Sequence, residues 1–466
     1  MSENQQRISN STTSGLIQSL VFTSDPQYPW TDCTDGGWFP SCSIRNVSPC
    51  PSSPPGSEDR ATRRNRSEAL IREQYENINS YTEHSDRINR PSAVIINGDI
   101  TEFGHNDIWH PERQWDTMNR LFQVLRRPFY YGLGNHDIEN NFGHCQGNNC
   151  FAVSIENLIR HIRPRLPAIQ FDYRREGVRY AGSFAYVVNF GRICSIQLNN
   201  DPTMEARTLS IHLHENITWL RNRLRTARNE GRIIIVNIHQ LKGLDQRYSN
   251  LFEEFGVAAI FSGHIHNIVG HFSGVGNIPV FLSGSASQRT YLILEQYPNE
   301  LRIFSVRCND WQGHRQLIRT IPIPPPQFPG FSQIVTALNN SSVIDLNPNR
   351  NVTLWSNHRG LNQRWAIQHL SGNEYQIIAD IPVSGLPYAL TGNVYSPNSN
   401  VFISRLSGLP EQRWILEEFG EGYMIKNSRN PNLVLDVAGG RTSNGTGIIL
   451  FPRQNTTNQR FFIRPF

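Results

Sequence analysis

Five apolar runs in this chain end on residue types that bind metal ions. "VFTSDPQ" delivers Asp25 and Gln27, "AVIINGDI" Asp99, "YYGLGNHD" Asn135, His136 and Asp137, "IIIVNIH" His239, and "AAIFSGHIH" His264 and His266. Carboxylate, imidazole and amide oxygen without thiolate form the donor set suited to a pair of divalent transition-metal ions. Each piece alone has an ordinary reading: Asp and Pro stop strands, Gly starts turns, and a single His after a strand is often structural. Five such ends in one chain, each behind an apolar run, point to a shared site.

That site needs a scaffold that brings strand ends together. From Gly15 to about Thr320, β-rich runs alternate with helical segments: "LIQSLVF", "AVIING", "PFYYGLG", "RICSIQL", "RIIIVNI", "VAAIFSG" and "IPVFLSG" read as buried strands. "SEALIREQYENINSY", capped by Ser67, carries Leu70, Ile71, Tyr75 and Ile78 at helical spacing, and "ERQWDTMNRLFQVL" carries Trp115, Met118, Leu121, Phe122 and Leu125. Near-continuous apolar strands interleaved with helices predict an α/β fold, in which ligands collect at the carboxyl ends of the strands. A long loop from Tyr28 to about Ser67, with Trp30, Trp38 and Phe39, and the segment "HNDIWH" are expected to frame the pocket, with His105 and His110 as possible phosphate contacts.

The proline-dense "IPIPPPQFPG", residues 321–330, reads as a stiff linker. Beyond it lie short strands, polar turns and three related pieces, "NQRWAI", "EQRWIL" and "NQRFFI". Their aromatic residues Trp365, Trp414 and Phe461 are spaced 49 and 47 residues apart, which predicts a pseudo-threefold all-β domain over 331–466.

The order D-x-Q, G-D, G-N-H-D, H, G-H-x-H resembles the calcineurin-like metallophosphoesterase superfamily, whose usual order begins D-x-H. The resemblance covers about residues 15–310 and implies an αββα sandwich in a domain spanning 15–320. It implies that Asp25 and His266 bind one metal, that Asn135, His239 and His264 bind the second, and that Asp99 bridges them. Gln27 stands where the usual pattern has His, and its amide oxygen is the weaker ligand. Two divalent ions (Mn, Fe or Zn) about 3.5 to 4 Å apart can share a hydroxide, acidify its parent water to a pKa of roughly 7 and clamp phosphoryl oxygens. His136 would then stabilise charge or protonate the leaving oxygen, with Asp137 orienting it.

The C-terminal repeats resemble ricin-type β-trefoil lectin domains, particularly those appended to bacterial parasporal crystal toxins. The resemblance implies sugar pockets at Asp345, Trp355 and Asn362 and at Asp436, Phe451 and Asn458. Lobe two has Thr391, Ser404 and Glu411 at these places and is expected to bind nothing. The combined expectation is a hydrolase of phosphate mono- or diesters targeted to glycans. The alternative is a glycan-binding toxin or interaction protein whose phosphoesterase domain is mainly scaffold.

Composition narrows the remaining classes. The 466 residues are 38% hydrophobic, enough for more than one core, and the net charge of +5 comes without a basic run, so no specific nucleic-acid partner is expected. Residues 1–14 read as a flexible polar N-terminus with no apolar leader, and no run reaches transmembrane length. Of 44 basic residues only Lys242 and Lys426 are lysines, leaving 42 arginines, which keep their charge in alkaline fluid. With the toxin-like trefoil, this suggests a bacterial protein stored in an inclusion and acting after release; the alternative is an arginine-rich genomic bias, with a cytoplasmic location left open. Seven cysteines cannot all pair: Cys145 and Cys150 could close a short loop, Cys33, Cys42 and Cys50 crowd another, and Cys194 reads as a buried small hydrophobe. Free thiols and one or two bridges both fit these spacings.

Overall fold

The computed structural model describes residues 15–35, 58–84, 90–105, 113–328, 330–381, 385–395 and 397–466. The chain divides into two compact units, 1–322 and 323–466. Trp38, Phe39, Cys42, Cys50 and His110 lie outside the described residues.

In the first unit, strands Gln18–Thr23, Ser92–Asn97 and Phe129–Gly132 run parallel in one six-stranded sheet. Antiparallel strands Tyr291–Tyr297, Glu300–Val306 and Arg315–Pro322 extend it on the other side. A second, seven-stranded sheet holds Ile193–Gln197, Ile233–Ile238, Val257–Ser262 and Ile278–Ser283 in parallel. The central strands Gln18–Thr23 and Ile233–Ile238 are buried along their whole length, which is why they read as unbroken runs rather than alternating ones.

Phe22 of the first sheet stacks on Phe261 of the second with ring centroids 3.8 Å apart, and Gln197 Nε2 donates to Asn97 Oδ1 at 3.2 Å. The opposite faces carry helices. Val21, Val94 and Ile96 pack with Ile71, Tyr75, Trp115, Met118, Phe151 and Ile155, from helices Arg60–Thr82, Gln114–Leu121 and Asn149–Ile162. Ile196, Val236 and Ile260 pack with Leu220, Leu224, Tyr248 and Phe252, from helices Ile217–Asn229 and Gln246–Phe255. The order helix, sheet, sheet, helix buries one stripe of each helix and both faces of the central strands of each sheet.

Helix Arg60–Thr82 corrects two expectations. Its N-cap is Asp59, whose side chain accepts from Thr62 N at 2.9 Å, while Ser67 is buried in the helix interior. The loop after Tyr28 therefore ends before Asp59. The first helical turns are rich in arginine and partly solvated, so they carry no apolar periodicity to mark them.

The proline-rich segment is divided between the units. Ile321 and Pro322 end an edge strand, where a missing N–H is tolerated. In the second unit the Pro326 carbonyl accepts from Tyr375 Oη at 3.0 Å, and Phe328 meets Tyr375 and Tyr423 edge-on.

The described part of the second unit is all β apart from short 3-10 turns, and three of these, Leu361–Gln363, Pro410–Gln412 and Thr457–Gln459, each lie just before a fully buried aromatic ring: Trp365, Trp414 and Phe461. Gln363, Gln412 and Gln459 are buried too, and each amide pins its lobe. Gln412 Oε1 accepts from Ser407 N at 2.8 Å while Nε2 donates to Arg405 O at 2.8 Å, and the other two make comparable pairs.

Candidate metal centre

The parallel strands of both sheets end at the same place. Thr23, Asn97 and Gly132 lead into Asp25 and Gln27, Asp99, and Asn135, while Ile238 and Ser262 lead into His239, His264 and His266. The structure joins these groups into two clusters that share one residue. Potential ligand atoms of Asp25, Asp99 and His266 lie within 4.8 Å of one another, and so do those of Asp99, His239 and His264. Asn135 Oδ1 stands 2.9 Å from His239 Nε2.

Backbone geometry aims these side chains. Asp25, Gln27, Asp99 and His264 all have positive φ, 49°, 40°, 48° and 70°, an uncommon conformation for residues other than glycine. Close main-chain approach explains the motif glycines. A Cβ on Gly134 would stand 2.1 Å from Asp99 Oδ1, and one on Gly263 would stand 2.7 Å from Asp25 Oδ2. Asp99 Oδ1 accepts from His136 N at 2.8 Å, and Asp25 Oδ2 from His264 N at 3.0 Å.

Each buried imidazole is oriented through its far nitrogen. His239 Nδ1 donates to the Asn97 carbonyl at 2.8 Å, which leaves Nε2 facing Asp99 Oδ2 at 3.1 Å. His266 Nδ1 meets Asp35 Oδ1 at 2.7 Å, and its Nε2 lies 3.1 Å from Asp25 Oδ1. Burial alone would lower the pKa of both rings. The carboxylates Asp99 and Asp25 outweigh it at His239, pushed up to about 9, and Asp25 and Asp35 do so at His266, pushed up to about 11. His264 is more open, and burial followed by His239 lowers its pKa.

The fit to cations rests on what these groups lack. Both side-chain atoms of Gln27 are buried without a hydrogen-bond partner, and Asp25 Oδ1 has only the His266 ring beside it. An orphaned buried amide oxygen beside a concentration of carboxylates is what a cation would satisfy.

Asp137 departs from its expected role. Its carboxylate accepts from Ile100 N, Thr101 N and Gly134 N, each at 2.9 Å, and from Thr101 Oγ1 at 2.8 Å. These bonds occupy it as a buckle between the G-D and G-N-H-D loops, so it does not orient the His136 ring. Burial and the Asp99 charge push its pKa up to about 6 against the pull of those amides. His136 is held instead by the Glu102 carbonyl, 3.0 Å from its Nδ1, with Trp30 edge-on at 5.7 Å. His105 packs against the Cys145–Cys150 disulfide, with Nδ1 3.8 Å from each sulfur. Cys33 and Cys308 are also disulfide-bonded, and Cys194 is a free buried thiol.

Sequence reasoning missed Asp35, Glu102, Ser287 and Gln288. All sit on loops without a motif, and their partners are distant in the chain; only the burial of an acidic residue in a polar turn could have marked Asp35.

In the second unit, Asp345 Oδ2 accepts from Asn362 Nδ2 and Gln363 Nε2, each at 2.9 Å, with His358 Nε2 at 3.3 Å. Asp436 Oδ2 accepts from Asn458 and Gln459 in the same way, at 2.9 Å each. Trp355 is 38% exposed and Phe451 is half-buried. In lobe two Thr391 Oγ1 and Ser404 Oγ meet at 2.8 Å where the other lobes have a carboxylate, and Glu411 pairs with Arg429 at 3.3 Å.

Comparison with known proteins agrees with this reading of both units. A family profile described as calcineurin-like phosphoesterase matches residues 20–267, and one described as ricin-type beta-trefoil lectin domain-like matches 361–451. Among solved structures, the designed 3-fold symmetric protein ThreeFoil is 25% identical, covering 29% of this chain and 99% of its own, at a TM-score of 0.27. A mosquitocidal holotoxin is 20% identical at a TM-score of 0.29, over 41% of this chain and only 25% of its own length. The Rhizoctonia solani agglutinin is 20% identical at a TM-score of 0.26, over 31% of this chain and all of its own. Scores this low carry no argument about activity. No curated protein matches the chain. The profile spanning more than half of the sequence decides the matter: the chain belongs to the calcineurin-like phosphoesterase family and carries a ricin-type β-trefoil lectin-like domain behind its catalytic-type domain.

Proposed function

We propose that the protein is a dimetal phosphoesterase targeted by a glycan-binding trefoil. The observation that carries this is Asp99, shared by two ligand clusters beside the unpartnered Gln27 amide. Asp25, Gln27 and His266 would hold one ion, and Asn135, His239 and His264 the other, with Asp99 between them. Bound there, the ions supply Lewis acidity and an acidified water. The chain's own part is to fix the ligand nitrogens, through Asn97 and Asp35, and to place His136. With its Nδ1–H engaged by the Glu102 carbonyl, His136 in its doubly protonated form would present Nε2–H to steady the phosphoryl charge or to give that proton to the leaving oxygen. Trp30, beside both His136 and His266, closes one wall against water.

In the trefoil, Asp345 with Asn362 and Asp436 with Asn458 would accept sugar hydroxyls while Trp355 and Phe451 offer an apolar face. The disulfides at Cys33, Cys145–Cys150 and Cys308 support action outside a reducing cytosol. The arginine bias supports work in alkaline fluid, and the toxin-like trefoil supports storage in a bacterial inclusion before release.

The test is a screen of the purified chain, loaded with Mn2+, Fe2+ or Zn2+, against p-nitrophenyl mono- and diesters, nucleotides and phospholipid headgroups. Metal-dependent turnover of any of these is expected. Full activity after metal depletion overturns the dimetal reading, and glycan retention with no hydrolysis favours a scaffold role for the first unit.

A further inference from the structure

Asp35 is an acidic residue that the family motifs do not include. It sits at the end of the turn Asp32–Asp35 with its side chain only 7% exposed, and it points its carboxylate at His266. Among the described residues, every hydrogen-bond partner of its carboxylate is a donor. Oδ1 takes His266 Nδ1 at 2.7 Å and Trp30 Nε1, and Oδ2 takes Gln288 Nε2 at 3.0 Å and Ser287 Oγ. A carboxylate surrounded in this way has no freedom to turn. It fixes the His266 ring with Nδ1–H toward Asp35 and Nε2 toward Asp25.

The turn is itself anchored at two points. Cys33 is disulfide-bonded, and Asp32 takes a bidentate contact from Arg66, Nε at 2.6 Å and Nη2 at 2.8 Å. The two halves of the centre are therefore oriented by different means. His239, in the second cluster, leans on a main-chain carbonyl at a strand end, whereas His266, in the first, leans on a carboxylate brought in by a clamped loop. A carboxylate behind an imidazole makes it a more basic ligand than a carbonyl does. The first cluster is also the one in which Gln27 replaces a stronger imidazole donor.

We propose that Asp35 is a positioning residue for His266, strengthening the metal site that Gln27 weakens. The proposal rests on the dimetal reading above. Its test uses the full-length chain, metal-free and then titrated with Co2+. Visible absorption reads the ligand field, and elemental analysis reads the occupancy. Wild type should take two ions. Asp35→Asn, which keeps the shape and removes the charge, should weaken one of them about 10–100-fold and alter its absorption band, leaving the other unchanged. Asp35→Glu should recover part of the loss, which a merely structural role would not produce. If Asp35→Asn does not fold, 15N-histidine spectra of Zn2+-loaded wild type decide: a protected Nδ1–H with a metal-bound Nε2 is expected on His266, and an Nε2–H form there overturns the proposal. Two ions bound with unchanged affinity in folded Asp35→Asn also overturn it, while a wild type that takes no ion removes the dimetal reading itself.

Discussion

Four glutamines in this protein are fully buried next to motif residues, and they fall into two kinds. Gln363, Gln412 and Gln459 of the trefoil have hydrogen-bond partners at both amide atoms; Gln27 of the metal centre has none at either. A satisfied buried amide holds loops together, and removing it strands its partners. An unsatisfied one is a standing penalty unless something outside the chain completes it. At the metal centre the backbone is set to the same end: Asp25, Gln27, Asp99 and His264 all take positive φ.

The largest effect should come from Asp99→Asn, which removes the carboxylate common to both clusters. Ester hydrolysis should fall by about 10^3-fold or more with loss of bound metal, while His136→Ala should slow turnover by about 10^2–10^4-fold with metal retained. Elemental analysis beside turnover separates the two. Gln412→Ala, in the lobe without a carboxylate, should destabilise the trefoil by about 2–3 kcal/mol in urea unfolding with no change in hydrolysis, because it strands the Ser407 and Gly408 amides.

Gln27→Met should act in the opposite sense. The metal-free protein should melt at the same temperature or gain up to about 1 kcal/mol, while metal affinity at one site falls. A large loss of metal-free stability would mean that Gln27 is structural after all. Trp355→Ala with Phe451→Ala should abolish retention on a glycan array and leave hydrolysis of a small ester intact. Unchanged retention would show that these faces are not the pockets.

The smallest effect concerns Glu417, which pairs with Lys426 at 2.8 Å and Arg453 at 2.6 Å. Burial raises its pKa, but these two cations outweigh that and hold it below its ordinary value of 4.5. A carboxylate depressed in the folded state stabilises above its unfolded pKa and loses that contribution as pH falls through the folded one. Glu417→Gln should therefore destabilise by about 1 kcal/mol at pH 7, and its difference from wild type should shrink as pH drops below 4.5.

What the sequence disclosed follows the same division. Strands buried on both faces, such as Ile233–Ile238, are legible because burial leaves no choice but apolar residues. The edge strand Arg315–Pro322 faces solvent along much of its length and runs into the proline segment, so no pattern marks it. Ligand residues were visible because each follows a strand directly. Asp35 was not, because its reason for being acidic is a histidine 231 residues further along the chain. Asp137 was visible for its motif, but its hydrogen bonds give it a different task from the one the motif suggests.

The scarcity of lysine has a practical side. Lys242 reaches Glu139 at 2.5 Å and Lys426 reaches Glu417 at 2.8 Å, one lysine in each unit. Amine-directed reagents and lysine-specific endoproteases thus meet two side chains in 466 residues, besides the α-amino group. Lys242 is 61% exposed and Lys426 only 15%, so a dye added at limiting amounts should tag Lys242 and the α-amino group, both in the first unit, ahead of Lys426. That gives a fluorescent reporter on the first unit that leaves the trefoil unmarked.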